Sequence, residues 1–175
     1  PMARKILDAM GIKYLELEPF EADDIIGTLA RMAEIDQEYD ATIISSDKDL
    51  LQLISFDVDV KLLKQTGFIR YNEETFKEDY GIDPIKIIDL KALAGDASDN
   101  IPGVRGIGEK TALKLLQEYG SLEGIYENID SIKGKTKEKL EADRDNAFMS
   151  KEIATIYRDV PLQISFQDIK YKGTN

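Results

Sequence analysis

Up to about residue 71 this sequence alternates between strand-like and helix-like segments; after residue 72 it reads as helix almost to its end. That change of period constrains the fold more than any other feature. "ATIISS" (41–46) is a short apolar run with β-branched residues, the pattern of a buried parallel strand. "KYLEL" (13–17) predicts a strand before it. "DVDVKLL" (57–63) alternates at period two, and "GFIRY" (67–71) follows a glycine break, so both predict strands. Helices are predicted at 3–10, 20–36 and 49–54. Strands alternating with helices imply an α/β sheet. Further on, "NEETFKEDYG" (72–81) has an Asn cap and a closing Gly. "DPIKIIDLKALAG" (83–95) has an Asp cap, Pro at the first helical position and a closing Gly. "SLEGIYENID" and "KTKEKLEADRDNAFMSKEIATIY" predict helices joined by "SIKGK", and "PLQISF" (161–166) predicts a final extended segment. The expected organisation is an α/β core over 1–82 and a helical region over 83–175.

The 175 residues contain no His and no Cys. Thiolate chemistry, disulfides and the commonest general base are therefore excluded. Catalysis by this chain has to run on carboxylates, lysines, hydroxyls and bound metal. No apolar run approaches the ~20 residues of a membrane span, and no signal-peptide pattern opens the chain. The net charge of −11 is unevenly spread. Residues 1–100 carry 22 acids and 11 bases, whereas residues 101–175 carry 12 of each. Such an acidic surface argues against nucleic acid as a partner unless several of the acids hold divalent cations.

Three acidic groups stand at element ends: Glu21, Asp23 and Asp24 opening a helix, Asp47 and Asp49 after "ATIISS", and Asp96 and Asp99 in the turn "GDASDN". Taken singly, each has a plainer reading, as helix caps and dipole partners, a polar loop, or an Asx turn. Taken together, seven carboxylates recurring in three clusters suit hard cations such as Mg²⁺ or Mn²⁺. Asp47 and Asp49 lie at the carboxyl end of a strand, where open α/β sheets form their sites. No Walker-type loop and no dinucleotide-binding fingerprint is present.

"IPGVRGIGEKTALKLL" directly follows the last acidic group and reads as the second half of a helix–hairpin–helix. Its first helix is expected at about 84–94, its hairpin at Gly103, Val104, Arg105, Gly106, Ile107 and Gly108, and its second helix at 109–118. Glycine lets backbone approach a ligand closely, and amides at a helix N-terminus bind phosphate oxygens. Lys110 and Lys114 can neutralise neighbouring phosphates. The plainer alternative is a Gly-rich turn between packed helices.

"FEADDIIGTLA", "IISSDKDLLQLI", "LAGDASDNIPGVRGIGEKTALKLL" and "YGSLEGIYENI" resemble the 5′-nuclease family, in particular the 5′→3′ exonuclease domains of bacterial polymerase I-type proteins. The resemblance implies a PIN-like, partly parallel α/β sheet plus a helical region whose helix–hairpin–helix, of the helix–three-turn–helix type, spans about 84–118. It implies metal-dependent hydrolysis of DNA phosphodiesters at 5′ ends, flaps and nicked branches, in replication and repair. It assigns metal binding to Glu21, Asp23, Asp24, Asp47, Asp49, Asp96 and Asp99, with Asp47, Asp49, Asp96 and Asp99 acting catalytically through Mg²⁺ or Mn²⁺, two ions in a complete domain. It assigns sequence-independent duplex binding to Gly103–Gly108, Lys110, Thr111 and Lys114, with K⁺ at the hairpin. It implies a polymerase domain in the same parent chain, a monomer, and a cytoplasmic, nucleoid-associated location. The family's domain begins earlier, with Asp-bearing strands and a basic arch. The resemblance therefore implies a chain truncated at its N-terminus that binds branched DNA but cleaves it weakly or not at all. The competing expectations are a non-catalytic duplex-binding module with structural acids, and a carboxylate-metal nuclease acting on RNA.

Overall fold

The computed structural model describes residues 1–174. Three strands form one sheet: β1 (Ala41–Ser45), β2 (Val58–Lys64) and β3 (Gly67–Tyr71). β2 is central, parallel to β1 with Ile43 opposite Val60, and antiparallel to β3 with Leu62 opposite Ile69. The period-two pattern sets the faces. Ile43, Val58, Val60, Leu62 and Tyr71 turn into the core. On the other face Asp59 accepts hydrogen bonds from Thr42 (2.7 Å) and Arg70 (2.6 Å), one from each neighbouring strand.

Helices α1 (Met2–Ala9) and α2 (Ala22–Asp36) precede the sheet. A 3-10 helix, Lys48–Leu53, links β1 to β2 and buries Leu50, Leu51 and Leu53. After β3 come α3 (Glu73–Tyr80), α4 (Ile87–Ala94), α5 (Glu109–Tyr119), α6 (Leu122–Glu127), α7 (Gly134–Ala142) and α8 (Arg144–Ala154). The Asn72 side chain caps α3 by accepting from Thr75 N–H at 2.9 Å, as its sequence predicts. A 3-10 turn, Pro84–Lys86, leads into α4. Nearly every face of α4 is buried, because it packs against both α5 and α8. The one acid within it, Asp89, is 2 % exposed and has the Lys151 ammonium of α8 at 2.7 Å. Lys151 also bonds Glu123 of α6 at 2.7 Å, so an ion trio ties three helices around the end of the core. Among the described residues, no helix is long and apolar enough to cross a membrane.

Two expectations are corrected. Residues 13–17 form no strand: Leu15 and Leu17 turn half inward as alternation predicts, but no neighbouring strand among the described residues pairs with them. The helix expected from Lys135 to Tyr157 is two helices, broken at Asp143. There the Asp143 side chain accepts from Arg105 N–H at 2.9 Å, a contact 38 residues away in sequence. The segment 161–166 lies outside the sheet, with Leu162, Ile164 and Phe166 half-buried.

Candidate metal centre and nucleic-acid interface

Asp47 and Asp49 emerge directly after β1, at its carboxyl end. Asp47 caps the 3-10 helix: its Oδ1 accepts from Asp49 N–H at 2.8 Å, and its own N–H bonds Ser45 Oγ at 3.0 Å. Asp23 arrives from the first turn of α2. One carboxylate oxygen from each of Asp23, Asp47 and Asp49 lies within 4.8 Å of the others, and the same holds for Asp49, Asp96 and Asp99. Asp49 belongs to both groups.

Asp96 and Asp99 sit in a turn closed on itself. Asp96 and Ile101 exchange backbone hydrogen bonds at 2.8 and 2.9 Å. Asp96 Oδ1 accepts from Ser98 N–H at 2.9 Å and Ser98 Oγ at 2.5 Å. The Ser98 hydroxyl, followed by the Lys91 ammonium, holds the Asp96 carboxyl down at about 2. Lys91 was not expected from the sequence. Its ammonium contacts Asp49, Asp96 at 2.9 Å and Asp99 at 3.3 Å. The one signal for it is a lysine in "IIDLKALA", apolar but for Asp89 and Lys91, one turn before the closing glycine.

Glu21 and Asp24 join neither group. Both Asp24 oxygens serve the backbone: Oδ2 accepts from Glu21 N–H and Oδ1 from Tyr157 N–H, each at 3.2 Å. Asp24 thus fastens the chain after α8 to the start of α2.

The donor set fits a hard divalent cation: oxygen ligands only, gathered from three elements, with Asp49 Oδ1 buried and lacking a well-directed hydrogen bond. Burial first, then the charge and hydrogen bond of Asp47, push the Asp23 carboxyl up to about 6. A cation entering its group has to displace that proton. Mn²⁺ affinity there is therefore expected to fall about fivefold between pH 6 and pH 5, as one proton per site competes. Calorimetric titration at pH 5, 6 and 7 checks this; a flat profile removes Asp23 from the ligand set. Without metal the sign reverses. The native state holds the Asp23 proton more tightly than the unfolded chain, so this group's contribution to stability is lost as pH rises through about 4 to 6.

The hairpin follows the acidic turn without a gap. Val104 N–H bonds Leu93 O at 2.8 Å and Gly103 N–H bonds the buried Ser150 Oγ at 3.0 Å. Gly103 has φ +63, and a Cβ built there would lie 2.4 Å from Gly95 N. Lys139 Nζ bonds Gly106 O at 3.1 Å. Val104 and Ile107, expected among the DNA contacts, are 2 % and 4 % exposed. They anchor the hairpin, because their apolar side chains gain by leaving water for the core. The amides of Gly103 and Arg105 are also spent on internal bonds. What remains outward is the Arg105 side chain, the Gly106 and Gly108 amides, which have no acceptor among the described residues, and Lys110 and Lys114. Among the described residues neither lysine has an acid within ion-pair distance. Thr111 is half-buried beside them.

Two sequence-family models match the chain: "5'-3' exonuclease, N-terminal resolvase-like domain" over residues 1–81 and "5'-3' exonuclease, C-terminal SAM fold" over 82–175. DNA polymerase I of Streptococcus pneumoniae strain R6 is 51% identical over 176 residues, covering 99% of this chain and 20% of the relative. The chain thus spans about a fifth of the length of the curated relatives it matches. Among solved structures, T5 5′-exonuclease with bound divalent zinc ions aligns with a TM-score of 0.69 at 26% identity, covering 82% of this chain and 52% of that one. The bacteriophage T5 flap endonuclease in a pseudo-enzyme–product complex with DNA and metal ions aligns with a TM-score of 0.68 at 26% identity, covering 80% and 51%.

Proposed function

The chain belongs to the 5′-3′ exonuclease family, and from that premise we propose that it is the nuclease part of a DNA polymerase I-type protein, hydrolysing DNA phosphodiesters at 5′ ends and 5′ flaps. One observation carries this reading: two carboxylate groups share Asp49, and the second is continuous with a glycine hairpin whose outer amides and lysines are free of protein partners. Asp23, Asp47, Asp49, Asp96 and Asp99 hold Mg²⁺ or Mn²⁺. When bound, such cations neutralise the scissile phosphate and activate water. Glu21, the N-cap of α2, and Asp24 in its first turn support the group, and Asp24 keeps the segment after α8 against it. Gly106, Gly108, Lys110, Thr111, Lys114 and Arg105 hold the duplex by its phosphates, which positions it without reading sequence. K⁺ held at the hairpin would add to that grip. The α/β unit, 1–82, carries most of the cutting residues, and the helical unit, 83–175, carries the holding residues with the helix–hairpin–helix at about 84–118. The protein works as a monomer on nucleoid DNA in the cytoplasm, joined to a polymerase domain.

The holding role is tested by salt-dependent binding to a 5′-flap duplex. Lys110→Ala and Lys114→Ala are each expected to weaken binding uniformly across sequences and to lower the log–log salt slope by about 1. Mn²⁺ binding should stay unchanged. Salt slopes equal to the parent's in both variants would move the DNA to another face. Flap cleavage that persists in EDTA would overturn the metal-dependent mechanism.

A further inference from the structure

The two carboxylate groups differ in one respect. Among the described residues, no ammonium or guanidinium pairs with Asp23 or Asp47, whereas the Asp49–Asp96–Asp99 group already surrounds the Lys91 ammonium. Lys91 stands in the last turn of α4, where a cation is favoured by the helix dipole. Its side chain is only 13 % exposed, so its charge is screened by these three acids more than by water. The ammonium therefore occupies the point toward which the carboxylates of this group converge. A neighbouring cavity of about 220 Å³ is lined by Lys91, Lys48, Tyr80, Asp96 and Glu109. Glu109 makes no ion pair with any described residue.

We propose that Lys91 is a resident counter-cation of the Asp49–Asp96–Asp99 group, which a divalent ion must displace into this cavity, toward Glu109. The inference rests on the metal reading given above. Its consequence is ordered loading. The Asp23–Asp47–Asp49 group binds first because only one of its three carboxylates, the shared Asp49, touches the ammonium. The second group binds more weakly by the free energy of moving Lys91, and without metal Lys91 keeps three like charges from forcing the turn open.

Calorimetric Mn²⁺ titration of the chain is expected to show two site classes separated at least tenfold in affinity. Lys91→Met should tighten the weaker class at least tenfold and the tighter class, which shares only Asp49 with the ammonium, by a smaller factor. The wild-type chain gives a second readout that does not depend on the variant folding. Acetylation of Lys91 by an N-hydroxysuccinimide ester, followed by mass spectrometry, should be slow without metal and at least fivefold faster at saturating Mn²⁺. An isotherm unchanged by Lys91→Met, or Lys91 acetylation indifferent to Mn²⁺, overturns the inference while leaving the metal sites standing. No Mn²⁺ binding by either chain overturns the metal reading and the inference with it.

Discussion

Replacing Asp49 with Asn is expected to remove Mn²⁺ binding from both carboxylate groups at once and to slow cleavage of a 5′ flap by the parent protein about 10²–10³-fold. The size follows from position. Asp49 is the only residue common to the two groups, and its Oδ1 is buried without a well-directed hydrogen bond. Asn keeps the shape but removes the charge shared between the sites, and a bound catalytic cation is worth several kcal/mol of transition-state stabilisation. Asp47→Asn and Asp99→Asn each touch one group, so each should leave one Mn²⁺ site intact. Calorimetry reads the number of sites directly, and flap cleavage reads the rate. Retention of two Mn²⁺ sites in Asp49→Asn would show that the two groups are separate centres and would sink the shared-ligand geometry.

The second large effect is on the fold. Gly103→Ala is expected to destabilise the chain by about 3 kcal/mol or more, a fall of roughly 6–12 °C in Tm for a chain of this size. Two causes add. A side chain at φ +63 is strained, and its Cβ would meet Gly95 N at 2.4 Å and Gly95 Cα at 2.7 Å. Both contacts are backbone, so neither can swing aside. Gly108 is the control. Its φ is −90, and a Cβ there meets nothing within 4 Å. Gly108→Ala should leave Tm nearly unchanged and weaken flap binding only, because the added methyl stands where a phosphate is expected to approach. Thermal melts and binding titrations on the two variants separate the roles. Equal Tm values would show that the hairpin relaxes freely away from the acidic turn.

Local chemistry was legible in the sequence, and distant partnerships were not. The apolar run at 41–46, the Asn72 cap, the closing Gly81 and the acidic turn all follow from neighbours within a few residues, and all appear in the structure. The sequence also indicated that Asp23, Asp47, Asp49, Asp96 and Asp99 are candidates for one centre, because element ends on one side of a sheet tend to converge. It did not separate them from Asp24, whose two oxygens are taken by backbone amides, one of them 133 residues away. Nor could it show that Asp143, Lys139 and Ser150 brace the hairpin, since these contacts span 38, 33 and 47 residues. The strand expected at 13–17 failed for the same reason: alternation predicts which side chains turn inward, whereas a strand also needs a partner.

The joint between Gly95 and Gly103 bears on motion as well as on packing. Asp96 and Ile101 bond each other, Val104 N–H is tied to Leu93, and Gly103 is held by Ser150 of α8. The Asp96–Ile101 and Val104–Leu93 bonds lie on either side of the close approach of Gly95 and Gly103. The acidic turn and the hairpin are therefore expected to open as one cooperative unit, which a shared amide-exchange rate would show. A ligand that settles at either end raises the free energy of that opening for both, so the two ends communicate through what they prevent rather than through any change of shape.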